Sequence, residues 1–160
     1  MRMAADWNAC LQLEQQLEAA AKQLNATLTR LNTLNRELSP EESRFADQQD
    51  KREWQDARRW LRDATAKVSR FLKEHLVGIT SAAGKRDSYE TLYKQFILPR
   101  RSFEGMAQAD REFAGYRKLL QSLLNNMNSA QGSAVQDAER RAQAIITRMA
   151  ARVRAAKSRR

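Results

Sequence analysis

The residues able to do chemistry are few: one histidine, His75, and one cysteine, Cys10, in a chain of 160 residues. A structural or catalytic zinc needs three or four protein ligands, and Cys10 is the only other soft donor available to His75. A Cys–His nucleophile pair would have to join distant turns of different helices. The carboxylates Glu41, Glu42, Asp47, Asp50, Asp56 and Asp63 share their stretch with many arginines, which predicts i,i+4 pairing and surface solvation. There is no Gly-rich phosphate loop and no HExxH, GxSxG or Glu-x-x-His pattern. These absences predict a protein that is not an enzyme and needs neither metal nor cofactor.

The run His75-Leu76-Val77-Gly78-Ile79-Thr80-Ser81-Ala82-Ala83-Gly84 resembles the motif of histidine phosphotransfer bundles, in which a helical His is followed by a Lys-Gly pair and small residues. Gly78 follows His75 by three positions where that motif has four, and Val77 stands where it has Leu and then Lys. The resemblance implies a phosphorelay centred on His75. The residues themselves favour a seam histidine near a helix end, satisfied by a carbonyl or by water.

These side chains must be carried by helices. Five Gly and two Pro are too few for a sheet-rich fold with frequent turns. Cys10, Leu13, Leu17, Ala20, Leu24, Thr27, Leu31, Leu34 and Leu38 recur in steps of three and four, a heptad seam that predicts a long helix over about residues 6–38. Ser39-Pro40-Glu41-Glu42 reads as a helix start, with a capping Ser and Pro at the first helical position. The helix it opens carries Trp54, Ala57, Leu61, Ala64, Val68, Phe71 and His75 on its seam and runs to about Gly78. The same register brings Asp47 and Asp50 onto the seam, so its first turns are expected to be partly buried. Thr80 to Ser88 reads as a loop, followed by a short helix from Tyr89 to Leu98 that Pro99 ends. A third long helix is expected from Phe103 to Met127, and a last one from Ala134, capped by Ser133, with Val135, Ala138, Ala142, Ile145 and Met149 inward. Trp54 belongs to the core, Trp7 packs on a bundle end or stays partly exposed, and Trp60 lies at the seam edge beside Arg59 and Arg62.

Charge separates the candidate contact surfaces. The chain has 29 Lys and Arg against 19 Asp and Glu, a formal +10. Residues 79–102 hold five basic against two acidic groups, residues 133–160 eight against two, and the other segments nearly balance. One patch is therefore Lys85, Arg86, Lys94, Arg100 and Arg101. The other is Arg140, Arg141, Arg148, Arg152, Arg154, Lys157, Arg159 and Arg160, with no acidic residue after Glu139. Trp60 joins the candidates, because Trp and Arg are frequent hot-spot residues. Such a positive helix end attracts an acidic protein face or a phosphate backbone, or it is a solvated tail that complements its helix dipole. A membrane surface is the weakest partner, since the end offers only Val153, Ala155 and Ala156 to a bilayer. No helix-turn-helix spacing, Cys/His finger or aromatic platform supports base readout.

The expected protein is a single all-α domain over 1–160, an elongated antiparallel helical bundle with coiled-coil-like packing. It has three to four long helices plus one short helix, and a basic end that frays over 150–160. It is expected to be an adaptor, chaperone-like or assembly subunit that binds an acidic protein partner or helix through helical faces and its basic last helix. The alternative is a sequence-tolerant DNA or RNA backbone binder, and a second copy of the chain could occupy a free helical face. A lone Cys, a start without an apolar stretch and no apolar run of about 18 residues point to the cytoplasm.

Overall fold

The computed structural model describes residues 2–38 and 48–158. Four helices carry them: α1 (Met3–Leu38), α2 (Gln48–Leu92), α3 (Met106–Ala130) and α4 (Ser133–Ser158), with a π-helical turn over Tyr93–Ile97 after α2. No strand occurs among the described residues, so the fold is an all-α helical bundle. The expected helix start at Ser39-Pro40-Glu41-Glu42, and Asp47, lie outside the described residues.

α1 is the clearest case of pattern becoming structure. Met3, Trp7, Cys10, Leu13, Leu17, Ala20, Leu24, Thr27, Leu31, Leu34 and Leu38 are all buried, one every three or four residues, as a seam under helical packing requires. Thr27 is the polar member, and its Oγ1 accepts a 3.1 Å hydrogen bond from Arg30 Nη2. The hydroxyl is thereby bonded at its place in the seam.

α2 departs from expectation. The segment 80–88 is not a loop, and the short helix from Tyr89 is only the end of α2, which continues unbroken for 45 residues. The reason lies in the seam, which does not stop at His75. Ala82 and Tyr89 are buried in the same register, 6 % exposed each, while Thr80, Ser81, Gly84 and Ser88 fall on the exposed face. Polar and small residues there lower helix propensity without creating a break. Ser88 and Thr91 hydroxyls donate back to the carbonyls of Gly84 and Asp87. Gly78 is small for a packing reason: a Cβ there would come within 3.0 Å of Leu123 Cδ1.

The turn into α3 uses two left-handed residues, Arg100 (φ 60°) and Gly105 (φ 84°). Helix α3 therefore starts at Met106 rather than Phe103, and Phe103 instead packs on Phe96 with ring centroids 4.8 Å apart. α4 starts at Ser133 itself, and the Gly132 carbonyl accepts from the Val135 and Gln136 N–H groups.

The contacts divide into two compact units. Unit 1 comprises Met1–Gln23 and Phe71–Ser129. In it, Trp7 faces Tyr93 and Glu14 faces Arg86, so α1 and α2 run antiparallel. Its core includes Trp7, Tyr89, Phe113 and Tyr116, with ring centroids 5.0–5.9 Å apart. Trp7 is 2 % exposed, fully inside rather than at a half-open end. Unit 2 comprises Leu24–Arg70 and Ala130–Arg160. There Leu31, Leu38, Leu61 and Val68 are fully buried, and Val135, Ala138, Ala142, Ile145 and Met149 of α4 pack inward. The alanines let α4 lie close to its neighbours.

A continuous α2 makes a direct prediction. Gly84 is helical and exposed, and nothing lies within 4 Å of a Cβ built on it. Gly84→Ala is therefore expected to stabilise the protein by about 0.5–1 kcal/mol in a urea titration. A loop over 80–88 would give no gain.

Candidate functional site

In unit 2 the arginines of α4 prove far from uncancelled. Arg152 forms an ion pair with Asp50, and Arg148 with Glu53, both partners coming from the first turns of α2. Arg140 pairs with Asp137 within α4, and Glu139 accepts from Arg30 Nε of α1 at 2.6 Å. Arg141 lies over the indole of Trp60, 4.9 Å from the ring centroid, so Trp60 stacks on an arginine of α4 instead of one of its own helix. The expectation that no acid balances these cations after Glu139 is thus corrected. The balancing acids come from α2, about a hundred positions earlier in the chain. Asp50 is also more buried than expected, at 5 % exposure, because Arg152 compensates its charge there. Of the candidate cations on α4, Arg154 is exposed and has no acidic partner among the described residues. Lys157 falls in α4 with its side chain outside the description, and Arg159 and Arg160 lie outside the described residues.

Pairing across helices also reveals cations that the sequence had hidden. Residues 39–78 nearly balance by count, nine basic against eight acidic. Once Asp50 and Glu53 are engaged by α4, Arg52 and Arg62 stand exposed on the outer face of α2 with no acidic partner among the described residues. Assigned by unit, unit 2 has 18 Lys and Arg against ten Asp and Glu, a formal +8. Unit 1 has 11 against nine, a formal +2.

The second expected patch disperses. Arg86 turns inward in unit 1. Its Nε and Nη2 meet Glu14 at 3.2 and 3.3 Å, and its Nη1 pairs with Glu90. The guanidinium also sits 5.5 Å from the Trp7 ring centroid. Lys94 donates to Glu90 at 2.7 Å. Lys85, Arg100 and Arg101 are exposed and separate from that network. Tyr116 donates to Glu14 at 2.8 Å, and Arg117 to Asp6 at 3.0 Å. The carboxylate of Glu14 holds Arg86 firmly in its charged form. Burial and the neighbouring Glu14 raise the Tyr116 hydroxyl well above its ordinary range. Lys94 and Arg86 hold the Glu90 carboxyl below the usual carboxylate range. None of this was visible in the spacing, because Glu14 is an exposed-face residue of the α1 heptad until α2 and α3 close over it.

His75 and Cys10 are both placed by their seams. Cys10 is fully buried, and burial, with the acids Glu14 and Asp6 nearby, pushes its thiol up to about 12. It is therefore a buried apolar group and a poor nucleophile. His75 is half-buried, and its buried Nδ1 has no protein hydrogen-bond partner among the described residues. Burial lowers its pKa, so the imidazole is held neutral at physiological pH. Among the described residues no group of three or more His, Cys, Asp and Glu is placed to hold a metal ion. No helix among them is long and apolar enough to cross a membrane.

The class defined by this arrangement is an all-α bundle with its excess charge concentrated in one unit. No protein-family model, curated protein or solved structure matches the chain.

The interhelical pairs predict unequal mutational costs on α4. Arg152→Ala strands a carboxylate that is 8 % exposed and should cost about 1–3 kcal/mol in urea denaturation. Arg154→Ala should stay within about 0.5 kcal/mol of the parent. Asp50→Asn combined with Arg152→Ala should recover much of the loss, since the stranded charge is then gone.

Proposed function

We propose that the protein is a non-enzymatic helical interaction protein whose basic unit 2 engages an acidic protein partner. One observation carries the reading: of the net +10, +8 falls in unit 2. A field of one sign on one unit steers an oppositely charged partner to it and raises the association rate more than it raises affinity. Cations available for contact include Arg52 and Arg62 on α2 and Arg154 on α4, with Arg141 presented on the Trp60 ring. Arg148 and Arg152 serve the fold through Glu53 and Asp50 and contribute to the field without being free hands. A cytoplasmic setting goes with this reading, since the lone thiol of Cys10 forms no disulfide within the chain.

The test is fluorescence anisotropy of a labelled Glu-rich helical peptide and of a DNA duplex at low and physiological salt. The peptide is expected to bind, to weaken as salt rises, and to lose at least about threefold in affinity in the triple variant Arg52→Gln, Arg62→Gln, Arg154→Gln. Binding of the duplex alone, with a steep salt dependence, would replace the acidic protein by a nucleic-acid backbone. Binding of neither overturns the proposal.

A further inference from the structure

In unit 1, α2 carries a second stripe on the side away from its core. Lys73, Val77, Thr80, Gly84 and Asp87 recur in steps of four and three, and all are exposed. At 3.6 residues per turn they lie opposite Ala82 and Tyr89, which are buried. Leu76 stands beside Val77 at the edge of the stripe. The two are 65 % and 56 % exposed, while the rest of the stripe is small or charged. Adjacent large aliphatic side chains on an outer stripe of seam spacing are what a face that receives another helix requires.

The charges on the stripe say which helix. Lys73 and Asp87 each have no oppositely charged partner among the described residues. They stand seven positions on either side of Thr80, ~10 Å each way along the axis and at nearly the same angle around it. A second α2 laid antiparallel, related by a two-fold axis at Thr80, therefore brings Lys73 of each chain to Asp87 of the other. Both free charges are matched, twice over. The same register sets bulk against space. At the height of Leu76 and Val77 the second copy presents Gly84 and Ala83. Nothing lies within 4 Å of a Cβ built on Gly84, so its surface is open to an incoming side chain. Thr80 and Ser81 at the axis are small and let the two helices approach.

Charge also selects a second copy over other occupants. An acidic helix would set like charge against Asp87, and a basic one against Lys73. Two copies meeting through unit 2 would oppose +8 to +8, whereas unit 1 carries +2, so self-association meets least repulsion here.

We propose that the outer face of α2 around Thr80 is an isologous interface on which a second copy of the chain docks antiparallel. Leu76 and Val77 supply its apolar contact, and the two Lys73–Asp87 pairs fix its register. The surface is independent of the acidic partner proposed for unit 2.

The experiment is sedimentation equilibrium of the full chain from about 10 µM to about 1 mM, at about 0.15 M salt. The expected result is a monomer–dimer equilibrium with a dissociation constant of about 10–500 µM, as befits a small interface. Lys73→Glu and Asp87→Lys, both at exposed positions, each set like charges against one another and should each weaken the dimer at least about tenfold. The double variant should associate as the parent does. An equimolar mixture of the two single variants should also associate, because it sets each introduced charge against its opposite. Leu76→Gln should weaken the dimer at least about threefold, since a two-fold interface loses the contact twice. A parent chain that stays monomeric up to about 1 mM, a dimer indifferent to both charge reversals, or a double variant and a mixture that both stay monomeric overturns the proposal.

Discussion

The rest of the structure depends on the burial of two apolar seams, one on α1 and one on α2. Each presents a core residue every three or four positions. α1 alone buries six leucines, each contributing roughly 1.5–3 kcal/mol on leaving water. An exposed ion pair contributes about 0.2–1 kcal/mol. Hydrophobic burial therefore decides which faces turn inward, and the charged groups arrange themselves on what is left. α3 supplies the third wall in unit 1 and α4 in unit 2. The seam also explains why α2 ignores its own weak points: Ala82 and Tyr89 repay the unfavourable propensity of Gly84 and its serine neighbours.

The electrostatics follow from that geometry. Once the α4 seam through Val135, Ala142 and Met149 is inward, the edge arginines Arg148 and Arg152 face the first turns of α2, where Glu53 and Asp50 stand. A basic helix end that looks like a free cationic tail in the sequence becomes in part a clamp on α2. Two of the cations left to act outward, Arg52 and Arg62, lie in the stretch 39–78, whose charge count is nearly neutral. The same logic places Arg86: it belongs by sequence to a basic stretch, yet Glu14, Tyr116 and Trp7 make it the polar centre of unit 1. There too the seam comes first, because Arg86 lies one helical turn from the buried Ala82 and Tyr89.

Much of this was legible beforehand. The fold class, α1 to within a few residues, the α4 seam and the burial of Cys10 all follow from period and residue type, since a 3.6-residue helix turns spacing into facing. The misreadings have equally plain causes. Residues 80–88 looked like a loop because Gly, Ser and Thr were weighed by propensity, while the seam positions Ala82 and Tyr89 are short on obvious hydrophobicity: one is small and the other carries a hydroxyl. Phe103 lost its place at the head of α3 to the left-handed Gly105, a backbone choice that periodicity does not encode. Trp60 stacks on Arg141 of α4, a contact that helix register decides, since Arg59 and Arg62 one and two positions away do not face it.

The amino-acid sequence by itself determined that the chain forms helices, which face of each is apolar, and that the chain is basic. Those properties depend on each residue and its neighbours three and four positions away. Only the tertiary structure decided which acids meet which arginines and where the unbalanced charge remains. Those depend on the register between helices, and a contact such as Asp50–Arg152 joins residues 102 positions apart. No local pattern carries that information. Register is settled by how the seams fit together in three dimensions.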